Sequence, residues 1–253
     1  MRLLLDNGYS VDGRYNISEC QHACSYPRGV YGKFLSPRAD GDSALSFAAT
    51  PYQYDISNAP ETVKFLLDSG ASVNASNPLG WTALHFAAQS PNKTTESELE
   101  VLRILLEAGI DTDATGRAGS NDWRLKNVTA VQIALMQGHS EKVKVLLEGN
   151  ASVDEEDLFL AIPRFGNGEK YEMADSIKHL LEAGLTGTAK NKCGGTPLMV
   201  AAVKGFVRSS RLLMAAKGVN LKETDARNRT VLAVAKKSAK CNDDQQVNKP
   251  CSS

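Results

Sequence analysis

The sequence predicts an all-α fold built from repeated pairs of antiparallel helices, and three recurring features of the 253-residue chain carry that prediction. A Thr or Ser followed by small and apolar residues recurs along the chain, which is typical of a short helix with a polar cap. A glycine breaks each of the clearest runs. A second apolar run then follows, with paired leucines near its end and a glycine after them, which is the usual way for a helix to stop.

The clearest copy of this unit spans residues 191–221. It opens with a polar turn that contains two glycines, and Thr196 and Pro197 then start the first apolar run. Thr caps helix starts, and Pro is tolerated at the first helical position. Gly205 separates this run from the second one, which Gly218 closes. The copy therefore predicts a turn, a short helix, a tight corner and a second helix.

Similar helix starts and helix ends recur along the chain. The predicted first helices begin at Ser43, Thr82, Thr129, Thr196 and Thr230, with a weaker copy over 157–162 followed by a second helix over about 173–182. The predicted second helices end at Gly8, Gly70, Gly109, Gly149, Gly184 and Gly218. One apolar position of each first helix is predicted to lie in the core; its members are Phe47, Phe86, Ile133, Val200 and Val234.

As a set, these motifs resemble ankyrin repeats. Thr-Pro-Leu, an Ala pair, a glycine corner, a Leu pair and a closing glycine follow one another as in that family, whose period is about 33 residues. The resemblance implies an ankyrin solenoid of about five to six units that presents turn tips and first helices on a concave side. It also implies non-catalytic recognition of other proteins.

Domain organisation follows from where the repeats are interrupted. We expect a partial terminal repeat over residues 1–12, an aromatic insertion loop over 13–40, the repeat array over 41–240 and a disordered tail over 241–253. Both ends depart from the family pattern, so the ends are either irregular caps or the limits of a fragment of a longer array.

Aromatic residues concentrate in the interruptions and predict a protein-binding surface. The hypothetical partner-contacting residues are Tyr26, Tyr31 and Phe34 of the long insertion, Tyr52 and Tyr54 of a second insertion, Trp123 of a third insertion over 116–126, and Trp81. Trp81 lies at a turn tip, where the other copies share no chemistry. It is either an exposed binding anchor or packs on the neighbouring insertion. Exposed aromatic residues often dominate interface energies.

Other polar residues have structural interpretations. The resemblance places His85 at the family's Thr-Pro-Leu-His histidine, which implies a hydrogen-bonding role in the turn, together with Thr196 and Pro197 in their own copy. Cys20, His22 and Cys24 offer at most three zinc ligands at poor spacing, so two loop thiols are the expectation over zinc or a disulfide. We predict no metal, no cofactor and no catalytic residues, because nothing converges on a pocket.

Charge is balanced overall but segregated along the chain. The 29 basic and 29 acidic residues give no global field that would attract nucleic acid or a membrane. Residues 204–240 contain ten basic and two acidic residues, and residues 141–182 contain ten acidic and five basic residues. These bands are either ordinary solvated surface or the steering fields for a bipolar partner.

The predicted function is therefore a monomeric, non-catalytic adaptor or scaffold that binds a protein partner through the concave face and the turn tips. The alternatives are a transcription co-regulator acting through protein contacts in the nucleus, and a module of a larger ankyrin-containing protein. No direct binding to nucleic acid or membrane is expected. The odd number of cysteines, five in all, favours a reducing intracellular setting, cytoplasmic or nuclear.

Overall fold

The computed structural model describes residues 11–13, 41–50, 58–89, 94–117, 127–163 and 172–240. The chain divides into two compact units, Met1–Ser152 and Val153–Ser253. Within the described ranges, no helix is both long enough and apolar enough to cross a membrane.

The described part of the first unit contains three consecutive helix pairs. Its helices are α1 (Ala44–Ala48), α2 (Ala59–Asp68), α3 (Ala83–Ala88), α4 (Glu96–Glu107), α5 (Ala130–Gln137) and α6 (Ser140–Glu148). The odd-numbered members are first helices, and each packs on the second helix that follows it. First helices also pack on first helices of the next pair, and second helices on second helices. Each pair therefore stacks on its neighbour in the chain.

A short β-hairpin precedes α5. Strand β1 (Gly116–Arg117) pairs antiparallel with strand β2 (Asn127–Val128), with Gly116 opposite Val128. The residues between the strands, 118–126, belong to the third predicted insertion and lie outside the described residues. The hairpin therefore joins the two ends of that insertion at the turn before α5.

The described part of the second unit repeats the same arrangement. Its helices are α7 (Asp157–Leu160), α8 (Ala174–Glu182), α9 (Pro197–Lys204), α10 (Val207–Ala215) and α11 (Val231–Lys240). Helix α10 packs on α8 and α9, and the first helix α11 packs on α9. Among the described residues of this unit, α11 has no second helix after it.

Local sequence explains where the first helices begin. Ser43, Thr129 and Thr196 are N-caps whose side-chain oxygens accept a backbone N–H three residues later, which satisfies a donor that the first helical turn leaves open. The corners after α5 and α9 are Gly138 (φ 78°) and Gly205 (φ 71°). Both have the left-handed backbone that glycine adopts without a steric penalty. The predicted helix starts and corners are confirmed.

The predicted apolar positions divide into buried and half-buried members. Phe86, Ile133 and Val234 are buried, as expected. Phe47 and Val200 are only half-buried, so their assignment to the core is wrong. Position within the repeat does not by itself fix burial, because the neighbouring repeats cover each copy to a different extent.

Candidate protein-binding surface

Three of the described turn tips are each built around one Asn or Asp side chain. Asn77 Oδ1 accepts the backbone N–H groups of Leu79 and Trp81, both at 2.9 Å. Asn191 makes the same two contacts, to Cys193 and Gly195. Such side-chain bonds to backbone two residues on are the defining feature of Asx turns. The sequence analysis missed these residues, although an Asn or Asp five residues before a capping Thr is a recognisable signal.

Asp225 plays the same role in the last described turn and adds an ion pair. Its Oδ1 accepts the backbone N–H groups of Arg227 and Arg229, and its Oδ2 accepts Nε and Nη2 of Arg229 at 2.8 and 2.6 Å. Burial alone would raise the pKa of Asp225, but these hydrogen bonds outweigh burial and lower the pKa below its usual range. The turn is therefore stabilised by an ionised carboxylate.

Trp81 lies in the core of the first unit, with 0% of its surface exposed. Its indole Nε1–H donates to the carbonyl oxygen of Arg117 at 2.8 Å, and its ring centroid lies 5.4 Å from those of His85 and Phe86. The interpretation of Trp81 as an exposed anchor is therefore wrong. The structure agrees with the other interpretation, in which the indole packs on the neighbouring insertion, because Arg117 is part of the insertion's first strand.

Two glycines make room for this contact between neighbouring turns. A Cβ atom added at Gly116 would lie 2.8 Å from Cδ1 of Trp81, and one added at Gly80 would lie 2.6 Å from the carbonyl oxygen of Thr115. The backbone of Arg117 also donates to the carbonyl oxygen of Leu79 at 2.8 Å. The turn that contains Trp81 therefore packs tightly against the paired strands of the β-hairpin.

His85 connects the same turn to the second strand of the hairpin. Its Nδ1 accepts the Thr82 backbone N–H at 3.2 Å and lies 2.9 Å from the Thr82 hydroxyl oxygen, and its Nε2 lies 3.1 Å from the carbonyl oxygen of Val128. Because Nδ1 accepts an N–H, the neutral ring with its proton on Nε2 satisfies every contact. Desolvation by burial lowers the pKa of His85 to about 4.

The hairpin base positions the third insertion at the turn tip, but its aromatic residue Trp123 lies outside the described residues. The other aromatic residues predicted to contact a partner, Tyr26, Tyr31, Phe34, Tyr52 and Tyr54, also lie outside them. Their role as contacts stays a prediction. The predicted boundaries of the terminal repeat, the long insertion and the tail likewise fall largely outside the described residues and remain untested.

A buried ion pair in the first unit was missed by the sequence analysis. Lys142 of α6 has no exposed surface, and its Nζ donates to the carbonyl oxygens of Ala87 and Gln89 at 2.8 and 2.6 Å and forms an ion pair with Glu98 Oε2 at 2.7 Å. The ammonium therefore has three oxygen partners. Burial lowers the pKa of Lys142, and the charge of Glu98 opposes that shift.

The described residues contain no group of three or more His, Cys, Asp and Glu side chains that could hold a metal ion. Cys20, His22 and Cys24 lie outside them. Cys193, in the Asn191 turn, is disulfide-bonded. A disulfide there is at odds with the reducing environment that the cysteine count predicts.

Comparison with known proteins identifies the repeat. Residues 2–116 match the family model of ankyrin repeats in three copies. The ankyrin repeat domain of human ASB11 superposes with a TM-score of 0.59 at 23% identity, over 92% of this chain and 85% of that domain. Residues 2–116 therefore match ankyrin repeats, and the chain has the ankyrin-repeat fold. Ankyrin repeats are a general protein–protein interaction module and generally non-catalytic.

Two curated relatives match most of the chain in sequence. Ankyrin repeat and SAM domain-containing protein 6 of Danio rerio is 29% identical over 85% of this chain and 26% of that protein. B-cell lymphoma 3 protein homolog of Mus musculus is 25% identical over 72% of this chain and 38% of that protein. The chain thus spans well under half the length of these relatives.

Proposed function

We propose that the chain is an adaptor that binds a protein partner through its turn tips and first helices, with the third insertion as a principal contact. The anchored base of that insertion carries the proposal. Pairing of β1 with β2 and the Trp81 hydrogen bond to Arg117 fix both ends of the segment 118–126 at a turn tip. A loop held on a rigid base loses less entropy when it binds.

In this proposal Trp81 fixes the base of the third insertion, and Trp123 makes the contact. A large aromatic side chain in a segment of nine residues between paired strands is suited to fill a pocket of a partner. Tyr52 and Tyr54 precede α2 in the adjacent repeat and would extend the same surface. Trp123→Ala is therefore expected to weaken binding without changing the fold, because it leaves the buried Trp81 in place.

Affinity capture from native extract followed by mass spectrometry tests the proposal. The baits are the wild-type chain, Trp123→Ala, the Tyr52→Ala/Tyr54→Ala double variant and Lys64→Ala, which changes an exposed residue of α2. A partner retained by wild type and Lys64→Ala but lost by Trp123→Ala is the expected result. If every captured protein is retained equally by all four baits, the aromatic surface is not the binding site.

A transcription co-regulator that acts through protein contacts is the second candidate. Segment 204–240 contains ten basic and two acidic residues. This charge favours the co-regulator, because a basic region can contact an acidic partner near DNA. Imaging of the tagged full-length chain separates the two candidates. Exclusion from the nucleus under all conditions would remove the co-regulator.

A further inference from the structure

The exposed large apolar side chains of the described residues all lie in one part of the second unit. They are Val207 (46% exposed), Met214 (50%), Leu221 (53%) and Leu232 (62%). Two belong to α10, one to the turn after it and one to α11. A concentration of exposed apolar side chains in one region is typical of a contact surface.

Leu232 is exposed at a position that every other regular first helix buries. It is the second residue after a capping Thr, and the equivalent residues in α1, α3, α5 and α9 are Leu45, Leu84, Val131 and Leu198. Those four residues are at most 1% exposed, whereas Leu232 is 62% exposed. In each of those helices the second helix of the same pair packs on the first helix. Helix α11 lacks such a neighbour among the described residues.

Met214 is exposed for the same structural reason. Leu213 of α10 and Leu105 of α4 are both fully buried, so they occupy the same position in their repeats. Met214, the residue after Leu213, therefore corresponds to Leu106, the residue after Leu105. Leu106 is covered by the next repeat, because a Cβ atom added at Gly149 would lie 2.6 Å from Leu106 Cδ2. No following second helix covers Met214 within the described part of the chain. Met214 and Leu232 therefore mark the position where a further second helix would pack.

Basic side chains share this surface with the apolar ones. Val207, Arg211 and Met214 are spaced i, i+4 and i+7 along α10, so they lie on one face, and all three are exposed. Leu232 and Lys236 are one turn apart on α11 and are both exposed. Each helix thus combines apolar and cationic side chains on its open face.

The acidic residues of the region offset only part of this charge: Arg208 of α10 pairs with Asp175 at 3.2 Å, and one further pair lies within the segment. Segment 204–240 contains ten basic residues and only Glu223 and Asp225 as acids. Asp225 is held by Arg229 at 2.6 Å, and Glu223 lies 3.8 Å from Lys190. The surface is therefore complementary to a ligand that is both apolar and acidic.

We propose that the face formed by α10 and α11 binds an acidic amphipathic helix of a partner protein, which packs where a second helix packs on the other repeats. Val207 and Met214 lie two turns apart on α10 and Leu232 adds an exposed apolar side chain on α11, which suits the apolar stripe of a helix laid in a groove. Arg211 and Lys236 would pair with carboxylates that flank the stripe. This inference rests on the proposed protein-binding function but uses a different surface from the aromatic insertion.

A fluorescently labelled synthetic helix of about four turns tests the proposal directly. Its leucines are spaced i, i+3, i+4 and i+7, and glutamates flank them. Titration of this peptide with the full chain is followed by fluorescence anisotropy. We expect saturable binding that Leu232→Asp and Met214→Asp each weaken about tenfold or more, because both substitutions place a carboxylate on the apolar contact.

Control peptides and variants isolate the chemistry. A peptide with lysines in place of the glutamates, and one with the acidic composition but a scrambled stripe, are both expected to bind at least tenfold more weakly. Lys178→Glu changes an exposed charge of α8 and should leave binding unchanged. Circular dichroism and the urea midpoint check that the exposed substitutions leave the fold intact. Equal binding of the basic peptide, or equal binding by Leu232→Asp, would overturn the proposal.

Two other occupants of the face give distinct results. If the wild-type chain sediments as a dimer that Leu232→Asp dissociates, the face belongs to a second copy and the proposal is wrong. If a chain ending at Lys240 binds the peptide more than tenfold more tightly than the full chain, residues 241–253 are the natural occupant. That result also overturns the proposal.

The peptide assay separates this inference from the adaptor proposal. Trp123→Ala should leave peptide binding unchanged, because it alters the first unit only. Absence of peptide binding, together with a captured partner that is lost by Trp123→Ala, would reject the helix-binding face and keep the adaptor. Peptide binding without any Trp123-dependent partner would do the reverse.

Discussion

The buried histidine of the Trp81 turn should make stability depend on pH between pH 7 and pH 5. His85 has a pKa of about 4 in the folded chain against 6.5 for an ordinary histidine. Between these values the unfolded chain binds a proton that the folded chain does not bind. Stability therefore falls as the pH drops through 6.5, and the loss is complete below about pH 4.

The size of the effect follows from the difference between the two pKa values. Each unit corresponds to about 1.4 kcal/mol, so the full loss is roughly 3 kcal/mol. About 2 kcal/mol of it should appear between pH 7 and pH 5. Carboxylates with lowered pKa, such as those of Glu155 and Asp225, lose their contribution mainly at lower pH. The window from pH 7 to pH 5 therefore separates His85 from these carboxylates.

His85→Gln is the matched variant, because the chain itself uses glutamine at this position of the next repeat. Gln132 Oε1 accepts the N–H of the capping residue Thr129 at 3.3 Å, as His85 Nδ1 does for Thr82. Urea unfolding at several pH values measures the slope for both chains. The variant should lose about 2 kcal/mol less than wild type between pH 7 and pH 5. Equal slopes would refute the assignment of the proton to His85.

Three further substitutions have definite expected outcomes. Lys142→Ala should cost about 3–5 kcal/mol in urea unfolding, because it leaves the Glu98 carboxylate buried without its cation; a loss below about 1 kcal/mol would contradict this. Gly80→Ala should destabilise far more than Gly70→Ala in thermal unfolding. Both glycines have a positive φ, so alanine adds a backbone strain of about 1 kcal/mol at either position. Only at Gly80 would the added Cβ atom also lie 2.6 Å from a backbone oxygen, that of Thr115. Trp81→Phe should cost about 1–2 kcal/mol and speed amide exchange in β1, whereas unchanged exchange would show that the indole bond does not hold the hairpin.

Local signals were sufficient to predict most of the helices. Thr196 and Pro197 specify the start of α9 through a side-chain cap and a fixed φ, and both lie within the segment they control. The weak copy over 157–162 also contains a helix, α7, but it is only four residues long and its cap, Glu156, makes no side-chain hydrogen bond. Residues whose structural effect is confined to the helical turn beside them can be recognised from the sequence alone.

The burial of Trp81 depends on residues far away in the chain and could not be predicted in this way. Its turn position has no shared chemistry among the repeats, which is typical of exposed sites. The indole is buried because Gly116 and Arg117, which follow it by about one repeat, bring a β-hairpin against it. The glycine that permits this approach has no local signature, since its role depends on the neighbouring turn.

The sequence analysis missed the ion pair of Lys142, although the position of Lys142 within the helical period could have indicated it. Lys142 lies four residues before the buried Leu146, as Ser209 lies four residues before the buried Leu213, so both side chains face inward. Glu98 occupies the same face of α4 as Leu102 and Leu105. A charged residue in the apolar phase of an amphipathic helix indicates a buried, paired charge.

Such a pair contributes more to register than to net stability. Desolvation of the two charges offsets much of their attraction, so well-packed apolar residues could stabilise the unit as well. Leucine pairs recur in every repeat and would pack almost equally well on the wrong neighbour. The ammonium of Lys142, in contrast, finds its three oxygen partners only when α6 docks beside Glu98 and the end of α3. If α6 packed on a different repeat, the buried charge of Lys142 would have no partners. Lys142 therefore favours the correct stacking of repeats over incorrect ones.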